Sequence, residues 1–417
     1  MVSPFLRMRS ISIGVKQIVS ASILLAALGY FVDIYDLILF SIVRVKSLKS
    51  LGLMDEQLLS QGVFLINMQM GGMLLGGILW GILGDKRGRL SVLLGSIFLY
   101  SVANIANGLV SGVSGYAFWR FCAGVGLAGE LGAGITLVSE VMSKETRGYG
   151  TMIVAVVGIL GAVLAALIGD LFDWRVAYFV GGMMGLGLLL LRLKACESGM
   201  FEGLQQHNVK RGSFFLIFKT MNNTFRYLCC ILIGVPLWFV IGILVTFSPE
   251  FGKALGMSEV PKASTAVMCA YIGLSLGGLA SGCLSQFFKN RRGITAVFMG
   301  LNACFMLFYL FYRQPSMGIF YMSCLGLGFA SGYWALFVTI AAEQFGTNIR
   351  STVATTVPNF VRGAVVPLTL SFQYFKNQYG VIEGASIVAM VCVVMAFAAL
   401  FGLQETYGKQ LDYVELD

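Results

Sequence analysis

Read for apolar and polar positions, the chain is a series of long apolar runs separated by short polar turns. The runs cover residues 18–43, 58–83, 90–111, 115–141, 149–171, 174–194, 225–248, 264–288, 293–312, 316–342, 351–374 and 384–404. A helix needs about 20 apolar residues to cross a bilayer, so the pattern predicts twelve membrane-spanning helices. Several runs are longer than that, which implies tilt or extension past the hydrocarbon. The one long polar stretch, 195–224, holds Glu197, Glu202, His207, Lys210, Arg211 and Lys219 and falls between the sixth and seventh runs. It divides the chain into a domain over 1–194, a cytoplasmic linker over 195–224 and a domain over 225–417 with a short tail.

Composition narrows the class. The chain is 57% hydrophobic and only 12% charged, with a mean hydropathy of +0.83, which excludes a soluble domain and marks an all-α polytopic membrane protein whose constant partner is the lipid bilayer. The 52 glycines suit helices that approach closely in lipid. A net charge of +9 raises the question of nucleic acid, but the basic residues sit in short turns, where they set topology. With both termini cytoplasmic, 19 of the 29 Lys and Arg fall inside and 8 outside, although Arg44, Lys46 and Lys49 in the first outer turn run against this. The nine cysteines show no paired spacing. Cys229, Cys230, Cys122, Cys269, Cys324 and Cys392 lie in apolar runs and read as small core residues. His207 is the single histidine, so no His-based metal or catalytic site is expected. No nucleotide loop or acid–base–metal constellation suggests an enzyme. Arg7, Arg9 and Lys16 precede the first run without a small-residue cleavage site, so that run is expected to be retained.

Against this background a few polar residues stand out. Asp33 and Asp36 lie in the first run, three residues apart on one side of a helix. Each costs about 2.5–3.5 kcal/mol near the centre of a span, so a partner or a wet cavity is required. Arg120 and Glu130 lie in the fourth run and Arg362 in the eleventh. At a rise of 1.5 Å per residue, Asp33 falls about 4 Å outward of the middle of its run, Asp36 about 8 Å and Arg120 about 10 Å, so acid and guanidinium can share a level. One reading is a static salt bridge that neutralises both. The other is titration: like charge and desolvation raise a carboxyl pKa, a nearby Arg lowers it, and a group held between those pulls can load and release a proton. Arg362 has no acid in its own run, and an unpaired guanidinium there is costly unless something anionic visits. Its fork fits a carboxylate, and pairing with Glu130 or Asp33 is the alternative. Asn359, Tyr35, Trp238, Phe239, Tyr333 and Trp334 stand near these positions and are candidate substrate contacts, though an aromatic alone is more often packing than ligand contact. Pro236, Pro358 and Pro367 interrupt their runs, which frees backbone groups and allows gating.

The halves repeat. Glu140 and Arg147 close the fourth run, and Glu343 and Arg350 close the tenth, 203 residues on. The turn Gly81-Ile-Leu-Gly-Asp85-Lys86-Arg-Gly88-Arg89 has a degraded echo at 282–292, with Gln286 in place of the Asp. Glycines permit a tight turn, and Asp85 can pair with a cation or a helix N-terminus in a cluster that breaks when halves rock, so these residues are candidate latch elements.

Placed after the second of twelve runs, this turn resembles the signature loop of the major facilitator superfamily. Arg120-Phe-Cys-Ala-Gly124-Val-Gly126 with Gly129-Glu130, and Glu343-Gln-Phe-Gly-Thr347-Asn-Ile-Arg350 with Asn359-Phe-Val-Arg362, resemble the metabolite–proton and sialate/lactate–proton symporters. Asp33-x-Tyr35-Asp36 resembles their first-span acid pair, with Ile34 where glycine is common. The resemblance implies two pseudo-symmetric six-helix bundles and alternating access. It implies proton coupling through Asp33 or Asp36 with Arg120, to which the charge balance adds Glu130 as a third acid; the proton is the coupling ion and no other cofactor or metal is needed. The expected protein is a monomeric symporter in a bacterial inner membrane, importing a small organic anion such as a carboxylate metabolite or carboxylate-type chelator. The alternatives are a facilitator, an exporter, against which the proline-free fifth run argues, and a non-transporting receptor, for which no long extra domain is seen.

Overall fold

The computed structural model describes residues 21–87, 89–130, 147–197 and 214–408. Each of the twelve apolar runs is met by helix. The helices are α1 (Ala21–Ser50), α2 (Leu58–Arg87), α3 (Arg89–Asn107), α4 (Val113–Leu127), α5 (Arg147–Leu171), α6 (Trp174–Glu197), α7 (Met221–Phe239), α8 (Ser248–Ala254), α9 (Ala263–Phe287), α10 (Arg291–Phe311), α11 (Met317–Ala330), α12 (Trp334–Glu343), α13 (Thr347–Gly363), α14 (Val365–Tyr379) and α15 (Val381–Phe401). Among the described residues, nine stretches are long and apolar enough to cross a membrane unaided. Large side chains such as Phe98, Phe118, Leu171, Met183 and Phe401 remain exposed, as a lipid-facing surface requires.

Three runs are not simple helices, and the interruptions have local causes. The seventh run passes through Pro236 into a π-helical segment, Val240–Val245, before α8 begins with Pro249 in its first turn. Pro236 lacks the N–H that an α-helix would use, and π turns concentrate at functional positions. The tenth run tightens to a 3-10 turn at Ser331–Tyr333, between α11 and α12. The eleventh breaks at Ala364, between α13 and α14.

Packing sorts the helices into two groups. In the first, α1 lies against α5 and α6, α2 against α4, and α3 against α4 and α6; in the second, α9 lies against α11, α7 against α15, and α14 against α15. Across the groups, α5 meets α9, and α2 meets α13 and α14. The closest approaches depend on glycine. A Cβ at Gly161 of α5 would overlap the Phe31 carbonyl of α1, and one at Gly277 of α9 would overlap that of Phe329 in α11.

One expectation changes. Arg44, Lys46 and Lys49 do not sit in a turn; α1 continues to Ser50 and carries all three. Arg44 is wholly buried, and Lys46 Nζ donates to the Gly169 and Asp170 carbonyls at 2.8 and 3.0 Å.

Candidate functional site

At the middle of the molecule, Asp33 of α1 faces Arg362 of α13 across the two helix groups. Nη2 of Arg362 and Oδ2 of Asp33 are 3.6 Å apart, and both side chains are fully buried. That separation makes an ion pair without a hydrogen bond. Nε, Nη1 and Nη2 of Arg362 and both Asp33 oxygens meet no hydrogen-bond partner among the described residues. A guanidinium offers five donors in a fixed fork. Here that fork is buried and largely unspent.

Aromatic side chains enclose the pair. The Trp238 ring stands 5.8 Å from the Arg362 guanidinium carbon, within cation–π range. Trp334 packs edge-on against Trp238 at 6.4 Å and donates its indole N–H to the Tyr30 hydroxyl at 3.2 Å, linking the groups. Each helix interruption borders this box: Pro236 and the π segment flank Trp238, the 3-10 turn ends beside Trp334, and the break at Ala364 follows Arg362. Discontinuous helices place backbone and side chains around binding sites in this way.

Asp36 lies one turn from Asp33, beside Arg120 and Asn104, and its oxygens have no hydrogen-bond partner among the described residues. Arg120 is committed elsewhere. It donates through Nη2 to Gln69 Oε1 and through Nη1 to the Tyr178 hydroxyl at 3.5 Å, and it lies 4.7 Å from the centroid of the Phe40 ring. Of the two readings, the static acid–Arg120 salt bridge is not formed; Asp36 has the charge of Arg120 nearby without a bond to it.

Glu130, expected among the coupling acids and as one alternative partner of Arg362, pairs instead within its own half. Arg192 of α6, which falls at the edge of the sixth run, grips it with Nη1 at 3.0 Å and with Nη2, and Nη2 also donates to the Leu25 carbonyl at 3.3 Å. The pair occupies the notch left by Gly29, where a Cβ would collide with both partners.

The other predicted contacts divide. Asn359 Nδ2 donates to the Ala128 carbonyl at 2.8 Å and to that of Thr355 at 3.0 Å, pinning α13 to the end of α4, while its Oδ1 meets no hydrogen-bond partner among the described residues. Tyr35 donates to the Ala177 carbonyl at 2.9 Å, and Tyr333 to that of Ile233 at 3.0 Å, so both hydroxyls tie helices together. Phe239 is buried in the core. Of the latch residues, Gly81 lies against Thr356 of α13. Glu343 pairs with Arg291 at 3.0 Å, and Arg350 donates to the Ala342 and Phe345 carbonyls at 3.2 Å. Asp85, Lys86, Arg89 and Arg147 lie on described helical backbone, but their side chains fall outside the described part. Gly88 and Glu140 lie outside the described residues. Arg192, Gln69, Tyr178 and Tyr30 were not anticipated. Arg192 alone carried a signal, a guanidinium embedded in Leu-Leu-Leu-Leu-Arg192-Leu.

The profile of the major facilitator superfamily matches residues 22–366, and the chain belongs to that superfamily. It is an integral inner-membrane transporter and not an enzyme. The relatives it resembles include a putative metabolite transport protein of Haemophilus influenzae, 26% identical, covering 93% of this chain and 96% of that protein. A cis,cis-muconate transport protein of Acinetobacter baylyi is 27% identical over 93% of this chain and 95% of its own length. The niacin transporter NiaP of the same organism is 23% identical, with 93% and 94% covered. Among solved structures, a D-xylose-proton symporter shares the fold with a TM-score of 0.69 at 17% identity, covering 93% of this chain and 99% of its own.

Proposed function

We propose that the protein is a proton-coupled symporter that imports a small organic carboxylate by alternating access. The observation that carries this is the buried Asp33–Arg362 pair: charged, inside an aromatic box, between the halves, and short of hydrogen bonds. An incoming carboxylate can take the Arg362 fork bidentately, which Asp33 at 3.6 Å does not. Asp33 then loses its cation. An unpaired carboxylate in a dry site is costly, so substrate binding favours its protonation. Substrate and proton thus enter together, because each makes room for the other. Asp36, beside Arg120, is the second acid through which the proton passes. Relatives named for muconate, niacin and sialic acid support the class of small organic acid. In this reading both termini lie in the cytoplasm, the 195–224 linker joins the halves, and the monomer is the working unit.

The test is uptake into proteoliposomes containing the purified protein, with nicotinate, cis,cis-muconate and sialic acid as first probes. Accumulation should require an inward proton gradient and should collapse with a protonophore. Accumulation that ignores the gradient would refute symport.

A further inference from the structure

We infer that Arg44 and Glu250 form the lock that closes the α1–α2 end of the molecule and that must break for the central site to open there. Arg44 belongs to the first helix group and Glu250 to the second. Nη2 of Arg44 reaches both Glu250 oxygens at 2.7 Å. Nη1 donates to the Leu58 carbonyl at 3.2 Å, and the guanidinium carbon lies 4.6 Å from the centroid of the Phe247 ring. Arg44 is wholly buried, whereas the Glu250 side chain keeps 21% exposure. The stem of Arg44 runs over Gly62, where a Cβ would press on it. A charged group of one half is therefore seated in a socket built by both.

The surroundings agree with a moving contact. The Thr246 and Ser41 hydroxyls meet at 3.0 Å, Ser264 donates to Asp170 at 3.3 Å, and Thr369 to Asn67 at 2.7 Å, all between the two groups. These neutral or half-exposed bonds exchange for water at little cost. The Arg44–Glu250 bond differs, because separation leaves a desolvated guanidinium whose remaining protein acceptor is Leu58. It is the contact whose rupture costs most, so it sets the closed-to-open balance at this end. The π segment Val240–Val245 lies directly before Phe247 and Glu250, and Thr246 braces it by donating to the Ile241 carbonyl at 2.7 Å. A π turn that relaxes to α-helix shifts the register of the residues after it. It can carry Phe247 and Glu250 off Arg44 while Trp238, on the other side of the segment, stays at the site.

The experiment is hydrogen–deuterium exchange on the full chain in lipid nanodiscs, which needs neither substrate nor proton gradient and so stands or falls apart from the symport reading. Glu250→Gln should raise exchange in segments 58–63 and 246–252 roughly ten-fold or more, with α3 and α10 unchanged. Glu250→Asp, which keeps the charge but shortens the reach, should give a smaller rise. The double variant Arg44→Gln with Glu250→Gln removes the orphaned charge and should stay open. Unchanged exchange in Glu250→Gln would overturn the lock. So would a double variant that returns to wild-type protection, because the single variant would then report only a stranded charge.

Discussion

Two buried ion pairs lie near each other in this molecule, and they are built to opposite specifications. Glu130–Arg192 is bidentate, adds a backbone acceptor at Leu25 and sits in a glycine notch within one half. Asp33–Arg362 joins the halves at 3.6 Å, with no hydrogen bond on either partner among the described residues. A buried charge is tolerated when its partners satisfy it and is strongly destabilising when one is removed. The first pair meets that requirement at rest. The second meets it only through charge, and is free to exchange Asp33 for another carboxylate. On the proposed reading, the first pair is structural and the second carries the coupling.

The largest effect should come from Asp33→Asn. Gradient-driven accumulation is expected to fall to the level of empty liposomes while substrate exchange persists. Wild-type accumulation in this variant would place coupling elsewhere. Next is Arg362→Lys, which keeps the charge and loses the fork; one or two charge-assisted hydrogen bonds are worth about 2–3 kcal/mol, so affinity for the carboxylate should drop by roughly 30- to 150-fold in a binding titration. Unchanged affinity would remove Arg362 from the site.

The tighter pair should answer in stability. Glu130→Gln strands Arg192 and should cost about 3–5 kcal/mol, seen as a lower unfolding temperature, while the folded fraction still accumulates substrate. Adding Arg192→Gln should recover part of that loss. A Glu130→Gln protein of normal stability without coupling would reverse the assignment. Gly29→Ala drives a methyl into the same pair and should cost about 1–3 kcal/mol by overpacking, again without changing the proton dependence. The smallest effect belongs to a carboxylate outside both pairs. Burial pushes Glu405 up, but the backbone N–H groups of Tyr407, Arg292, Arg291 and Thr406 outweigh it and hold the carboxyl below its ordinary value. A depressed folded-state value means stability that is present above the unfolded pKa and lost as pH falls through the folded one. Glu405→Gln should therefore flatten the loss of thermal stability as pH falls below the ordinary Glu value of about 4.3, and leave transport untouched.

The fold was legible because lipid leaves the backbone few options. Twelve apolar runs imply twelve spans. The change of helix type at Val240 follows Pro236, and the break at Ala364 precedes Pro367, by about a turn, whereas α13 runs unbroken through Pro358, which was expected to interrupt it. The residues of the site were legible as a short list, since a charge in an apolar run demands explanation. Their partners were not. Sequence depth along a helix puts Asp33, Asp36 and Arg120 at comparable levels, but not which helix faces which. Arg120 turns to Gln69 and Tyr178, and Arg362 from the other half reaches Asp33. The reach of α1 to Ser50 was also hidden, because Arg44, Lys46 and Lys49 look like the start of a turn. Only the socket made by Leu58, Phe247 and Glu250 explains a buried Arg44 on a helix.

In the proposed mechanism, coupling rests on Asp33 exchanging Arg362 for a proton when a carboxylate binds. That exchange is read as the number of protons taken up by purified protein as an organic acid binds, by calorimetry in two buffers of different ionisation enthalpy. Close to one proton per substrate is expected for the wild-type protein and none for Asp33→Asn. Binding without proton uptake in the wild type, or with the same uptake in Asp33→Asn, would contradict it.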